Sequence, residues 1–140
     1  MLRQYTSTIT ATAPRQGLHE ITSSVSGWLR EQDIETGLLT LFCRHTSASL
    51  LIQENAASAA RRDLETWFAR VVPEDRALYT HNDEGPDDMP AHLKAALTGV
   101  NLSIPVSGGN MLLGTWQGLF LAEHRARPHR RQVVCHAVGE

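Results

Sequence analysis

Three histidines of this chain stand where an imidazole could do chemistry. His45 follows the apolar run Gly37 to Cys43, at the point where a strand would hand over to a loop, and Thr46-Ser47-Ala48-Ser49 comes next. An imidazole placed there can bind a metal or move protons near neutral pH. Ser47 and Ser49 add hydroxyls, and with Thr46 the segment offers amides to an oxyanion. The same Thr/Ser cluster also reads as plain turn chemistry. His92 lies four residues after Asp88, so the two share a face if a helix begins at Asp88. A carboxylate beside an imidazole is a ligand pair, or a base with its orienting partner, and Asp88 reads equally as a helix cap. His81 stands upstream in the acidic loop His81-Asn82-Asp83-Glu84-Gly85-Pro86-Asp87-Asp88. Carboxylates attract divalent cations and imidazole suits zinc-like metals, so His45, His81 and His92 are the candidate metal ligands. A solvated acidic loop is the plain alternative.

The second cluster is Gly114-Thr115-Trp116-Gln117, followed by Glu123. Gln117 and Glu123 are an even number of residues apart and point to one side of a regular strand. Glu123 ends an apolar run, as an edge charge or as a site carboxylate. His19, His124, His129 and His136 read as surface or packing residues, with His19 opening a helix. Arg125, Arg127, Arg130 and Arg131 form the sole basic cluster, as a solvated strand entry or an anion-binding rim.

These side chains must be positioned by a small scaffold. The 140 residues, 41% hydrophobic and 20% charged, predict one globular domain over 1–140 with Trp28, Trp67 and Trp116 anchoring its core. Leu2 to Thr12 predicts a strand. Ile21, Val25, Trp28 and Leu29 make one helical stripe ending near Asp33. Gly37 to Cys43 reads as a buried strand. Asn55 is placed to cap a helix striped by Ala60, Leu64, Trp67, Phe68 and Val71. Pro90 fits the first turn of a third helix, which Gly99 closes. Asn101 to Val106, Met111 to Gly114, Gln117 to Glu123, and Arg131 to Val138 read as strands, with Gly108-Gly109-Asn110 turning the first pair. Helices and strands mix without strict alternation, so the fold class is α+β.

Cys43 and Cys135 form no CxxC pair and predict buried free thiols. The start of the chain is polar and alternating, unlike a signal peptide, and no run is long enough for a membrane span, so the cytoplasm is the expected compartment. A net charge of -2 with no long basic face argues against nucleic-acid binding.

Taken together, Arg44 to Leu50 with Glu54-Asn55, Gly85 to Lys94 with His81, and Leu113 to Gln117 with Glu123 resemble the three signatures of the YjbQ-like proteins, the secondary thiamine-phosphate synthases. Order and spacing agree over nearly the whole chain. Gln53-Glu54-Asn55 stands where that family often has an Asn-Glu-Asn-like string, and Glu123 to Pro128 where it often has an Asp-Gly-Pro-Arg-like turn. The resemblance implies a mixed, largely antiparallel sheet curled on itself with about three helices packed on it, a homotrimer, and weak thiamine-phosphate synthesis. In that transferase reaction a thiazole phosphate's ring nitrogen displaces pyrophosphate from a pyrimidine methylene carbon. A divalent metal, zinc or magnesium, would neutralise the leaving group, with His45, Asp88, His92, Gln117 and Glu123 as catalytic candidates. Thr46, Ser47, Ser49 and Arg130 are candidates for holding phosphate. A metal-dependent phosphate-ester hydrolase and a non-enzymatic trimeric metal- or anion-binding protein are the alternatives.

Overall fold

The computed structural model describes all 140 residues, which form an α+β fold with every strand pairing antiparallel. One sheet has five strands: β1 (Arg3–Ala13), β3 (Thr36–Cys43), β5 (Asn101–Ser107), β6 (Asn110–Met111) and β8 (His129–Gly139). Their spatial order is β1-β8-β3-β5-β6. The other has three, β2 (Gly17–Glu20), β4 (Ala48–Glu54) and β7 (Gln117–Glu123), in the order β2-β7-β4. Three helices complete it: α1 (Thr22–Arg30), α2 (Ser58–Val71) and α3 (Asp88–Thr98), with one 3-10 turn at Arg76–Leu78. No helix is long and apolar enough to cross a membrane.

The central strand of each sheet shows how pattern sets position. β8 alternates, burying Arg131, Val133, Cys135 and Ala137 on one face, as a strand covered on one side should. β7 is apolar at consecutive positions because both of its faces are covered. Leu119 and Leu121 enter the main core between the sheets, with Leu39, Leu41, Leu50 and Ile104. Phe120 and Ala122 turn the other way, onto Leu18 and onto Phe68 of α2. Phe120 is fully buried, and burial of such a side chain contributes about 1.5–3 kcal/mol. The end of β7 is therefore a rigid platform, and Glu123 stands on it.

The hairpin between β5 and β6 turns on Gly108 and Gly109, with φ of +60° and +70°, the two left-handed positions that a two-residue turn requires. Gly99 closes α3 with φ +98°. Cys43 and Cys135 are buried free thiols, and burial pushes the Cys135 thiol up to about 11.

Several expectations need correction. Trp67 and Trp116 are 46% and 64% exposed, so neither anchors the core, and the buried face of α2 is held by Phe68. His19 lies on the strand β2, paired with Leu121, and opens no helix. Asn55 does not cap α2; its side-chain amide donates to Glu20. α2 has no side-chain cap; Glu54 Oε2 accepts from the amides of Ala56 and Ala57, the two residues before the helix, at 3.0 and 2.9 Å. The Ser47–Ser49 stretch leads straight into β4, because Ala48, Ser49 and Leu50 are buried against β7.

Candidate functional site

The start of α3 carries the site. Asp87 is the residue before the helix and makes no side-chain cap, while Asp88 sits in the first turn with its side chain almost wholly buried. A buried carboxylate needs partners, and Asp88 has three. Arg125 Nη1 donates to Oδ1 at 2.8 Å. The other oxygen, Oδ2, faces His81 Nε2 at 3.0 Å and His92 Nε2 at 3.1 Å. One ligand atom from each of His81, Asp88 and His92 lies within 4.8 Å of the other two. His92 comes from the same face of α3, one turn on, and His81 from the loop that precedes the helix.

Arg125 fixes this carboxylate in place. Its Nε donates to Asp87 Oδ2 at 3.0 Å and its Nη2 to the Glu84 carbonyl at 2.9 Å. Burial pushes the Asp87 carboxyl up, but hydrogen bonds from Arg125 and the Ala126 amide outweigh it and hold Asp87 below the usual range. Arg125 thereby ties the acidic loop to the end of β7 and turns Asp88 so that one oxygen is left to the histidines.

The ring of His92 shows what fits between those atoms. Its Nδ1 lies 2.9 Å from the Thr46 carbonyl, an acceptor only, so Nδ1 carries a proton. A neutral His92 then points an Nε2 lone pair at Asp88 Oδ2, two acceptors facing each other. A second proton or a cation between them resolves the conflict. A backbone carbonyl on the far nitrogen is also the usual way a metal-binding imidazole is oriented. The donor set, two imidazoles and one carboxylate with His81 45% exposed at the rim, suits zinc with open positions.

His45 is not in this trio. Its Nε2 accepts from the Gln132 amide at 2.8 Å, because that β8 amide has no strand partner there. The His45 proton is thus at Nδ1, and the 3.4 Å approach of Arg131 Nη1 brings two donors together without a hydrogen bond. Burial, and then the Arg131 charge, push His45 down, so its ring is neutral. It nevertheless shares an open depression of about 630 Å³ with Thr46 and His92. The Nδ1–H of His45 and the hydroxyl of Thr46 are donors at the trio's side.

The remaining candidates separate. Glu123 is buried and fully engaged: Arg131 donates through Nε to Oε1 at 2.9 Å and through Nη2 to Oε2 at 2.5 Å. His129 Nδ1 lies 3.2 Å from the same carboxylate. Arg131 Nη2 also donates to Ser47 Oγ at 3.0 Å, so Ser47 is part of this latch between β4, β7 and β8. Ser49 is buried with His124 Nε2 at 2.8 Å and Thr98 Oγ1 at 2.6 Å. Gln117 stands at the opposite end of β7 from Glu123, about 20 Å away along the strand, and its Oε1 accepts from the Gly114 amide. Arg130 is exposed. Gln117 and Glu123 thus share parity but no location, and Ser47 and Ser49 have spent their hydroxyls internally.

Sequence reasoning missed Arg125. It reads as one of a run of surface cations, and only its distance to Asp87 and Asp88, thirty-eight and thirty-seven positions back in the chain, shows its role. The basic run in fact divides: Arg125 and Arg131 are counter-ions of buried carboxylates, and Arg127 and Arg130 are solvated.

Comparison with known proteins agrees with this architecture. A family profile described as "UPF0047 protein YjbQ-like" matches residues 7–140. A UPF0047 protein of Synechocystis is 47% identical, over 99% of this chain and 94% of that one. The UPF0047 protein YjbQ of Salmonella typhimurium is 44% identical, over 97% and 99%. Among solved structures, a YbjQ-like protein of unknown function from Sulfolobus solfataricus superposes with a TM-score of 0.92 at 26% identity, covering 100% of both chains. A conserved hypothetical protein from Thermus thermophilus reaches a TM-score of 0.81 at 36% identity, over 91% and 97%.

Proposed function

The chain belongs to the YjbQ-like UPF0047 family, and from that premise we propose that His81, Asp88 and His92 hold a divalent cation serving transfer chemistry on a diphosphate ester. The observation that carries this reading is the His92 ring: one nitrogen is tied to the Thr46 carbonyl, and the other faces Asp88 Oδ2 beside His81. The reaction class is the thiamine-phosphate synthesis that the family resemblance implies. A ring nitrogen forms a bond to a methylene carbon, the carbon–oxygen bond to pyrophosphate breaks, and pyrophosphate leaves with the bonding electrons. The cation supplies neutralisation of the charge that grows on the leaving oxygens. Arg125 keeps Asp88 turned toward the histidines. Thr46 fixes the His92 tautomer, and the His45 N–H and Thr46 hydroxyl line the depression in which a phosphorylated substrate would sit.

A homotrimer is part of the same reading. The outer face of the five-stranded sheet leaves Leu38 and Phe42 of β3 40% and 46% exposed, two apolar side chains that a neighbouring subunit would cover.

The test has two readouts on untagged protein. Metal analysis with solution mass should give a stoichiometric metal in a trimer. Incubation with the pyrimidine diphosphate and the thiazole phosphate should give the joined product and pyrophosphate. Inorganic phosphate without a joined product would instead indicate a phosphate-ester hydrolase. Metal retention with no turnover would indicate a binding protein. A metal-free monomer would end the reading.

A further inference from the structure

The ring of His45 has a donor facing each of its nitrogens. Nε2 accepts from the Gln132 amide at 2.8 Å, which uses the single lone pair of a neutral imidazole and puts the proton on Nδ1. Arg131 Nη1 stands 3.4 Å from that protonated nitrogen, so two N–H groups confront each other with no acceptor between them. A second ring proton does not relieve this, because it would sit on Nε2 and break the bond from Gln132. The rest of the guanidinium is satisfied: Nε and Nη2 donate to Glu123, and Nη2 also to Ser47. Nη1 is the end left over, on a charged side chain that is only 6% exposed. A buried charged donor without an acceptor is costly, and an oxygen at the edge of the His45 ring would accept from both groups.

The surroundings favour an anion there. Arg44 is exposed and is not among the arginines held in ion pairs, which are Arg3, Arg15, Arg61, Arg125 and Arg131. The nearby Glu123 carboxylate is engaged on both oxygens by Arg131, so the Arg44 charge stands uncompensated. Arg44, His45 and Thr46, with Phe42, Cys43 and Val100, line an open depression of about 430 Å³. It adjoins the depression at His92, because His45, Thr46 and Val100 line both. The hollow thus has two lobes, one containing His92 of the metal trio and the other Arg44. A diphosphate that needs a cation belongs in the first.

We propose that His45 Nδ1–H, Arg131 Nη1–H and Arg44 hold the phosphate of an organic phosphate monoester in the Arg44 lobe, without a cation. The three terminal oxygens of a phosphate let it bridge the two fixed donors and still reach Arg44. The carbon body of the ester lies along Val100, toward the lobe that His45, Thr46 and Val100 share with His92. Two lobes of different chemistry suit two phosphorylated partners, the diphosphate at the cation and the monoester at the guanidinium. Naming the monoester as the substrate that supplies the ring nitrogen rests on the proposed transfer reaction; the anion site itself does not.

Phenyl phosphate is titrated into untagged protein in EDTA by calorimetry, with nitrogen spectra of the histidine side chains recorded before and after. In the free protein His45 should show a protonated Nδ1 and a bare Nε2. The Nδ1 proton should move downfield as phenyl phosphate binds. His45→Ala and Arg44→Gln should each weaken binding by about tenfold. Arg131→Met combined with Glu123→Met, which leaves no unpaired charge in the core, should abolish binding in a protein that still unfolds cooperatively. Arg70→Gln, an exposed position on α2, should leave binding unchanged. A His45 ring protonated at Nε2, no binding in EDTA, or equal binding by His45→Ala and Arg70→Gln would overturn the proposal. Phenyl phosphate binding with no joined product from the two substrates would keep this site and sink the transfer reaction. Joined product, with the KM for thiazole phosphate unchanged in His45→Ala, would do the opposite.

Discussion

His124 should make this fold acid-sensitive, by an amount that can be worked out. Its side chain is buried between β7 and α2, with Nε2 bound to Ser49 Oγ at 2.8 Å and its ring edge-on to Phe68 at 6.1 Å. Burial, then the Lys94 and Arg131 charges, push its pKa from 6.5 down to about 3. Above pH 6.5 the ring is neutral in both the folded and the unfolded chain, and it adds no pH dependence. Below that, the unfolded chain binds a proton that the folded chain refuses until about pH 3. Stability therefore falls as pH falls through this window, by about 1.36 kcal/mol per pH unit. From pH 8 down to pH 4.5 the loss from this one residue is about 2.7 kcal/mol, a large share of a small domain's total. His124→Gln keeps a polar partner for Ser49 and cannot titrate. The substitution itself costs about 2 kcal/mol above pH 7 through lost packing. On descending pH the two proteins should converge and cross near about pH 5. Urea unfolding at fixed protein concentration, repeated from pH 8 to about pH 4.5, measures both limbs. The other six histidines are common to both proteins and cancel in the difference. If both proteins lose stability with the same slope below pH 6.5, His124 is charged in the folded state and the account of its burial fails.

Further outcomes follow from the same geometry. Arg131→Met leaves Glu123 buried without its counter-ion and should cost about 3–5 kcal/mol, while adding Glu123→Met should restore most of the loss; thermal unfolding of all four proteins in a double-mutant cycle measures this. His92→Ala and His81→Ala should each lower the zinc retained per chain. His45→Ala should retain it and lose only about 1 kcal/mol for the orphaned Gln132 amide, as metal analysis and urea unfolding would show. Saturating zinc at about 100 times its dissociation constant should stabilise the wild type by about 2.7 kcal/mol and leave His92→Ala unmoved. Gly139→Ala would place a methyl 2.1 Å from the Thr36 carbonyl on β3, and prising the two strands apart should cost about 1–3 kcal/mol in unfolding free energy.

The parts of this protein that were legible in its sequence are those decided by near neighbours in the chain. The spacing of Asp88 and His92 is a helix-face argument, and both side chains do meet, because a single turn of α3 separates them. The turn at Gly108-Gly109 and the end of α3 at Gly99 are backbone arguments of the same local kind. Tryptophan failed as a core marker because side-chain size does not say which face of an element is covered: Phe68 next to Trp67 is buried while Trp67 is half exposed. The site failed to be legible where a charge finds its partner far along the chain. A buried guanidinium and a solvated one have the same letter, and the run from Arg125 to Arg131 contains both. What separates them is the position of a carboxylate brought up by another element, Asp88 at the start of α3 for Arg125 and Glu123 at the end of β7 for Arg131. His45 shows the same limit from the other side. Its place after an apolar strand is that of a ligand, yet the amide of Gln132, far along the chain, claims its Nε2. A residue type and a local pattern therefore nominate chemistry here, and long-range pairing of donors with acceptors decides which nominees are free to perform it. By that criterion His81, His92 and the Asp88 oxygen between them remain available at the start of α3, and Glu123, Ser47 and Ser49 do not.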